Sequence, residues 1–311
     1  TGCYNTALGN RVLCNNTTGN LNSSLGYQSL QQNITGCYNT ASGSYTLKSN
    51  TATGNTALGY AAAISNTTGT GIVAVGCRAL NTNTTGINNV AVGNAALYCN
   101  TSGRGNTAVG TYSLYKNTTG LRNSASGMFA LGCNVTGSEN TASGYKALWC
   151  NTANYNTAVG NQSLQVNSSE TENTALGAAA GTNNTTGSYN TALGAGSFAY
   201  NTTGSNNTTA GRNSLRCNTT GPDNAAFGYQ AMQYNTTGGN NTAMGRLALQ
   251  DNTTGYQNTA LGNAAMANTT TGCCNTVVGS NALPLNTTGK ENSIVGTYSL
   301  YNNTTGCNNV A

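Results

Sequence analysis

Histidine is absent from the chain, and charged residues make up only 5% of its 311 residues. An average soluble domain carries roughly 25% charged residues. Without histidine, the chain lacks the side chain most often used as a general base and as a metal ligand. The few acidic residues form no recurring pair, and glycine-rich stretches belong to a repeat. We therefore expect no enzyme activity, no catalytic residue, no metal site and no bound cofactor.

Clustered positive charge and long apolar runs are also missing. The 11 Lys and Arg are scattered along the chain, and the net charge is only +5. Nucleic-acid-binding domains concentrate such residues on one face, so no nucleic-acid partner is expected. No apolar run approaches the roughly 20 residues of a membrane-spanning helix, so no membrane span is expected in this segment. The sequence begins and ends in mid-repeat, which predicts a segment of a longer chain.

One short unit fills the whole sequence. Its consensus is N-T-A-[LV]-G-x-x-[AS]-L-x-x-N-T-T-G-x-x, and we number these positions 1 to 17. The spacing is 17 residues except in the units that begin at Asn39 and Asn140, which have 16. This predicts a single continuous repeat array over residues 1–311. The eighteen complete units begin at Asn5, Asn22, Asn39, Asn55, Ile72, Asn89, Asn106, Asn123, Asn140, Asn156, Asn173, Asn190, Asn207, Asn224, Asn241, Asn258, Asn275 and Asn292.

The repeat predicts an all-β fold, a β-solenoid of stacked coils. Invariant Gly at position 5 indicates a corner with positive φ or a backbone approach too close for a Cβ, and Gly at position 15 marks a second corner. The larger residues at positions 2 and 4 predict the buried face of a short strand, with Ala at position 3 facing outward. Leu at position 9 is a second core position. Asn at position 1 predicts a ladder of stacked amides.

Two alternatives concern this architecture. Low complexity alone would permit a disordered chain, but disorder gives no reason for the fixed Gly and Leu positions. The length of one turn is also open. One unit of 17 residues would rise about 4.8 Å per coil, whereas three cysteine pairs that lie 34 residues apart favour two units per turn. Those pairs are Cys3 with Cys37, Cys99 with Cys133, and Cys273 with Cys307.

The pentapeptides that begin at Asn5, Asn106 and Asn258 resemble the head repeats of trimeric autotransporter adhesins and of phage tail-fibre-like proteins. The resemblance extends over the chain unit by unit. It implies a left-handed parallel β-roll, often trimeric, that serves in surface attachment. The unit here departs from that pattern through its added N-T-T-G segment.

The added segment reads N-x-[ST] in most units, the acceptor pattern for N-glycosylation. Asn at position 1 is usually followed by T-A or S-A and lacks this pattern. We therefore predict covalent N-glycans on one column, with tyrosines such as Tyr98 and Tyr115 nearby. The alternative is that N-T-T-G is plain turn chemistry. The predicted acceptors are Asn16, Asn33, Asn66, Asn83, Asn100, Asn117, Asn134, Asn167, Asn184, Asn201, Asn218, Asn235, Asn252, Asn268, Asn286 and Asn303.

Eleven cysteines without a C-x-x-C motif argue against a zinc site. Cys133 and Cys150 occupy position 11 of successive units, where a coil rise of about 4.8 Å falls within the Cα separation of disulfides. They are a candidate disulfide, which would indicate an oxidising compartment. The alternative is a set of free thiols that pack as small hydrophobes.

Together these features predict a structural component of an extracellular, N-glycosylated fibre or surface filament, which associates with itself. The rival is an adhesin or tail-fibre-like shaft that attaches to a host or a surface. A groove or patch that breaks the consensus would favour that rival. Ice binding through the threonines of position 2 is a third hypothesis, weakened by their predicted inward orientation.

Overall fold

The computed structural model describes residues 2–168 and 171–311. These residues form two compact units, Thr1–Tyr155 and Asn156–Ala311, which are described separately. Both units are built from short parallel strands joined by tight turns, and the described residues contain no α-helix. The described residues therefore include no membrane-spanning helix. The predicted all-β solenoid is confirmed.

Each coil contributes one three-residue strand at positions 2 to 4, and two coils add a strand of two residues. The first unit contains β1 Thr6–Leu8, β2 Ser23–Leu25, β3 Thr40–Ser42, β4 Thr56–Leu58, β5 Val73–Val75, β6 Val90–Val92, β7 Thr107–Val109, β8 Ser124–Ser126, β9 Thr141–Ser143 and β10 Cys150–Asn151. The second contains β11 Thr157–Val159, β12 Val166–Asn167, β13 Thr174–Leu176, β14 Thr191–Leu193, β15 Thr208–Ala210, β16 Ala225–Phe227, β17 Thr242–Met244, β18 Thr259–Leu261, β19 Thr276–Val278 and β20 Ser293–Val295.

Strand register fixes the length of one turn. Val73 pairs with Val90 in the next strand, a step of 17 residues, so one repeat unit is one coil. In the shortened coil the step is 16, because Thr40 pairs with Thr56, yet the register is unchanged. The corner is one residue shorter in this coil. The Nδ2 of Asn50 donates to the carbonyl of the residue two positions ahead, whereas in the 17-residue coils the equivalent carbonyl is three positions ahead. A turn of 34 residues is thereby excluded.

The interior of each coil is narrow and lined by small side chains. In the coil that begins at Asn106, Ala108 at position 3, Ser113 at position 8 and Leu114 at position 9 are all fully buried. Leu at position 9 supplies most of the apolar volume, and Phe198, Met232 and Met266 replace it elsewhere. Position 9 is therefore a core position, as the sequence predicts.

The orientation of the strand is opposite to the prediction. Ala108 is fully buried, whereas its neighbours Thr107 and Val109 face outward and Val109 is 42% exposed. The same alternation recurs in β4, β13 and β19. The reason is space. The strand packs across a narrow coil against the residue of position 9, so position 3 carries Ala in most coils, and Val277 and Ile294 are the larger apolar residues buried there. The larger side chains of positions 2 and 4 must therefore face away from the core.

Glycine at position 5 meets both demands that the sequence suggests. Gly110 has φ +131°, a conformation that L side chains rarely adopt. A Cβ built on Gly110 would lie 2.7 Å from the carbonyl carbon and the carbonyl oxygen of Gly127 in the next coil. Glycine thus stacks on glycine from coil to coil, because the strand spacing leaves no room for a side chain between the two backbones.

The turns also rely on left-handed residues other than glycine. In the coil that begins at Asn106, Tyr112, Leu114 and Arg122 have φ of +55°, +49° and +52°. They stand at positions 7, 9 and 17, and these positions recur as left-handed residues through the described ranges. None of the left-handed non-glycine residues in those ranges is Val, Ile or Thr, although Thr is abundant in the sequence. This exclusion follows from the clash of branched Cβ atoms with the left-handed backbone.

Leu114→Ile keeps the side-chain volume but places a β-branched residue at φ +49°. We expect it to lower the free energy of unfolding by about 2 kcal/mol. Leu114→Met, which keeps an unbranched Cβ, should cost less than about 1.5 kcal/mol. Urea denaturation followed by circular dichroism measures both variants. Equal losses would show that packing, and not the left-handed backbone, selects Leu at position 9.

Candidate functional site

The asparagines of position 12 form ladders inside the coils. The Nδ2 of Asn218 donates to the Oδ1 of Asn201 in the preceding coil at 2.9 Å and to the carbonyl of Gly221 at 3.0 Å. Its own Oδ1 accepts from Nδ2 of Asn235 in the following coil at 2.7 Å. An amide inside such a row is thereby both donor and acceptor, and the rows end at Asn33, Asn134 and Asn252, whose Oδ1 atoms have no partner. The N-T-T-G segment is the corner that these ladders stabilise.

A second ladder runs through position 1, as the sequence predicts. The backbone N–H of Asn106 donates to the Oδ1 of Asn89 at 2.9 Å, and its Nδ2 donates to that same oxygen at 3.2 Å. The Nδ2 of Asn106 also donates to the carbonyl of Gly120 at 2.8 Å, which accepts from Asn117 of position 12 at 3.3 Å as well. Both ladders therefore converge on the carbonyl of position 15.

This geometry conflicts with the predicted column of glycans. The Nδ2 that would carry a sugar is enclosed in the coil and already donates two hydrogen bonds, so a glycan does not fit the folded chain at these positions. The ladder and turn interpretation, held open above, accounts for the N-T-T-G column instead. The predicted acceptors whose side chains are fully buried are Asn33, Asn66, Asn83, Asn100, Asn117, Asn134, Asn167, Asn184, Asn201, Asn218, Asn235, Asn252 and Asn286.

Three predicted acceptors are not fully buried. Asn16 and Asn303 are half-buried, and each still donates to the position-15 carbonyl of its own coil. Asn268 is exposed, because its coil places Thr269 in the buried slot of position 12. With no amide beyond it to donate, the Oδ1 of Asn252 is left without a partner. Of the sixteen predicted acceptors, Asn268 is thus the one whose side chain is exposed.

None of the cysteines forms a disulfide in the described part of the chain, so the candidate disulfide between Cys133 and Cys150 is not formed. The two residues are neighbours in adjacent coils, as predicted, and their thiols are hydrogen-bonded. Burial, together with the adjacent Cys133, raises the pKa of the Cys150 thiol. The pairs spaced by 34 residues lie two coils apart, about 9.6 Å at the usual strand spacing, which exceeds the separation that a disulfide spans.

Two outward surfaces remain as candidates for function. The first, which we call the strand face, consists of the side chains at positions 2 and 4 of every coil. Position 2 carries Thr, Ser, Val or Ala, and position 4 carries mainly Leu and Val, with no charged residue in either column. Leu58 and Leu176 are 50% and 51% exposed there. The threonines of position 2 face outward, but the neighbouring column varies from Ser126 to Phe227, which makes the surface uneven for an ice lattice.

The second surface, which we call the aromatic face, is formed by positions 6, 7, 10 and 11 of the first unit. The rings of Tyr112 and Phe129 stack in adjacent coils, with centroids 5.3 Å apart and planes 7° apart. Tyr98 and Tyr115 also stack, at 5.3 Å and 25°. Its aromatic members are Tyr27, Tyr45, Tyr60, Tyr98, Tyr112, Tyr115, Phe129, Tyr145 and Trp149.

A hollow of about 300 Å³ interrupts the aromatic face. Its floor is Gly132, which stands at position 10 between Tyr115 of the preceding coil and Trp149 of the following one. A Cβ on Gly132 would lie 3.0 Å from Cδ1 of Trp149, so the absence of a side chain lets the indole ring lean over the gap. The walls are Tyr112, Phe129 and Lys116. Burial raises the pKa of Tyr115, as do the neighbouring thiol and phenols.

Sequence reasoning noted Tyr98 and Tyr115 but missed this face. The sequence does indicate the face in one way. Large aromatic residues are concentrated at positions 7 and 10 in the first half of the chain, although the consensus has no preference at these positions. A further hollow of about 330 Å³ lies beside Tyr60, Arg78 and Tyr98.

Among the described residues, no group of three or more Cys, Asp or Glu could hold a metal ion. Comparison with protein families, with curated proteins and with solved structures yields no match for this chain.

Proposed function

We propose that the chain is a structural segment of an extracellular fibre and that copies of it associate through the strand face. The observation that carries this proposal is the pair of uncharged, exposed columns at positions 2 and 4, present in every coil. Burying them removes apolar surface from water without desolvating any charge. An extracellular location rests on the resemblance to adhesin heads and tail fibres.

The partner that fits this surface best is a second copy of the same chain. Both copies present rows with one coil spacing, about 4.8 Å, so their side chains can interdigitate over many coils. A displacement by one whole coil presents nearly the same surface again. Many small contacts of this kind add up to a stable interface although each is weak. No catalytic role is proposed, and the chain offers no histidine to serve one.

Two lysines placed on the strand face test the proposal. We expect the wild-type chain to sediment as an oligomer at micromolar concentration and Leu58→Lys with Val109→Lys to sediment as a monomer. The matched control is Thr119→Lys, an exposed position of the N-T-T-G corner that lies off the strand face. Analytical ultracentrifugation distinguishes these states. A monomeric wild type, or a double variant that still associates, would contradict the proposal.

Two further features belong to this proposal. We propose that Cys133 and Cys150 close to a disulfide once the chain is outside the cell, by exchange with a small-molecule disulfide that takes up the two electrons and two protons and leaves as two thiols. Among the sixteen predicted acceptors, N-glycosylation is proposed only for Asn268, whose side chain is exposed. Peptide mapping by mass spectrometry after secretion from a glycosylating host tests both at once. Glycans on the buried column would refute this assignment.

The aromatic face favours a second candidate function, that of an attachment shaft. It is a patch of the first compact unit, at positions where the consensus has no preference, and it combines hollows, exposed rings and cations. A purely structural coil gains nothing from such a surface. The two functions are compatible, because the strand face and the aromatic face occupy different positions of the coil.

A further inference from the structure

Positive charge on the aromatic face is periodic. Coils 1, 3, 5, 7 and 9 each place one cation on positions 6, 7, 10 or 11, and the coils between them place none. Two coils correspond to about 9.6 Å along the stack. The second compact unit, Asn156–Ala311, has no such alternation, since its cations at these positions fall in two coils only. The five cations are Arg11, Lys48, Arg78, Lys116 and Lys146.

The cations and the rings form one surface. Lys48 Nζ lies 5.5 Å from the centre of the Tyr45 ring, and Lys146 Nζ lies 4.8 Å from that of Trp149. Such contacts hold an ammonium beside a flat apolar platform. Arg78 and Lys116 line the two hollows. A ligand that lies along the face therefore meets an aromatic platform and a positive charge in regular alternation.

The charge balance of the first unit favours an anionic partner. Residues 1–155 carry seven Lys and Arg against one Glu, a net charge of +6, whereas residues 156–311 carry four against five, a net charge of −1. The single acid, Glu139, accepts a hydrogen bond from Arg122 at 2.7 Å. It stands at position 17, off the aromatic face. No carboxylate of the first unit therefore neutralises the row of cations.

We propose that the aromatic face binds an acidic polysaccharide whose negative charge recurs at every second sugar. This inference rests on the second candidate function, attachment. A pyranose ring advances along its chain by about the rise of one coil, so a carboxylate on alternate sugars matches the cation on alternate coils. The apolar faces of the intervening sugars stack on the rings, as aromatic side chains stack with other flat apolar surfaces.

Single-stranded nucleic acid is the main competitor, since it also uses stacking rings and cations. Its spacing does not match. Nucleic acid carries a phosphate on every nucleotide, which is denser than one cation per two coils. The rings that stack across adjacent coils, Tyr98 on Tyr115 and Tyr112 on Phe129, already contact one another and are less free to receive a base between them.

The test uses hyaluronan oligosaccharides of ten sugars, which carry one carboxylate per disaccharide, in titration calorimetry with the whole chain. We expect Lys116→Gln with Lys146→Gln to weaken binding by about tenfold, from roughly threefold for each exposed ion pair. Trp149→Ala should weaken it by about tenfold through the lost platform. The matched control is Arg104→Gln with Lys290→Gln, which removes two cations off the face and should change affinity less than about twofold.

Three results would overturn the proposal: no binding of hyaluronan, tighter binding of an oligothymidylate of ten nucleotides, or equal weakening by the control pair. The last would indicate attraction by net charge alone. The titrations are repeated with the strand-face double variant, which is expected to bind hyaluronan as the wild type does. Failure of self-association and failure of polysaccharide binding are therefore separate outcomes.

Discussion

Gly110→Ala is expected to lower the free energy of unfolding by about 4 kcal/mol or more, the range of severe single substitutions. Two costs add in this variant. Alanine at φ +131° is strained by about 2 kcal/mol, and its Cβ would lie 2.7 Å from the backbone of Gly127. Relieving that overlap requires the two coils to separate locally, which weakens the hydrogen bonds of β7 with β8.

The chain contains a control that separates these two costs. Gly296 has nearly the same backbone angle, φ +133°, but a Cβ there meets nothing closer than Ser299 at 3.7 Å. Gly296→Ala should therefore cost about 2 kcal/mol, the backbone strain alone. Denaturant titration gives the size of each loss, and hydrogen exchange shows which coils open. Equal losses in the two variants would mean that coil-to-coil contact contributes nothing to the choice of glycine.

Asn218→Asp is expected to cost about 3 kcal/mol at neutral pH, although the two side chains have the same shape. The substitution removes the donor that serves Asn201 and Gly221, and it leaves a buried carboxylate facing two acceptor oxygens. Asn268→Asp is the control, because that side chain is exposed and lies outside the ladder. We expect it to change the free energy of unfolding by less than about 0.5 kcal/mol.

The stability of Asn218→Asp is expected to depend on pH, in a direction set by the pKa of the introduced carboxyl. Burial and acceptor oxygens raise the folded pKa of the introduced carboxyl above its unfolded value. The protonated form, which can donate a hydrogen bond, is therefore favoured by folding. Its stabilisation is fully present below the unfolded pKa and is lost as pH rises through the folded pKa. Relative to the wild type, Asn218→Asp should recover stability on acidification. No recovery would show that the ladder does not depend on a donor at position 12.

Much of the fold follows from the sequence because each coil repeats one set of local demands. Glycine at position 5, Leu at position 9 and the amide ladder of position 1 are all found where the pattern predicts them. The period of one coil required the structure, since cysteine spacings of 17 and 34 residues both occur. It is settled by the register of strand pairs such as Val73 with Val90.

The failures also have physical causes. Side-chain size suggested that positions 2 and 4 are buried, but the narrow coil buries position 3 instead, where most units carry a small residue such as Ala108. The sequon column was read as exposed turns, because sequence cannot show that the Nδ2 of Asn218 turns inward to a carbonyl. The aromatic face depends on left-handed turn residues such as Tyr112, whose side-chain direction no periodic pattern predicts.

The asparagine ladders also impose a direction on growth. In the row from Asn201 through Asn218 to Asn235, each Nδ2 donates to the preceding coil and each Oδ1 accepts from the following one. A coil stacked upside down would bring donor against donor or acceptor against acceptor. Because of this polarity of the amide rows, each coil can stack on the preceding coil in only one orientation. Lengthening such an array by duplicating units preserves the fold for this reason, whereas inverting a unit would stop it.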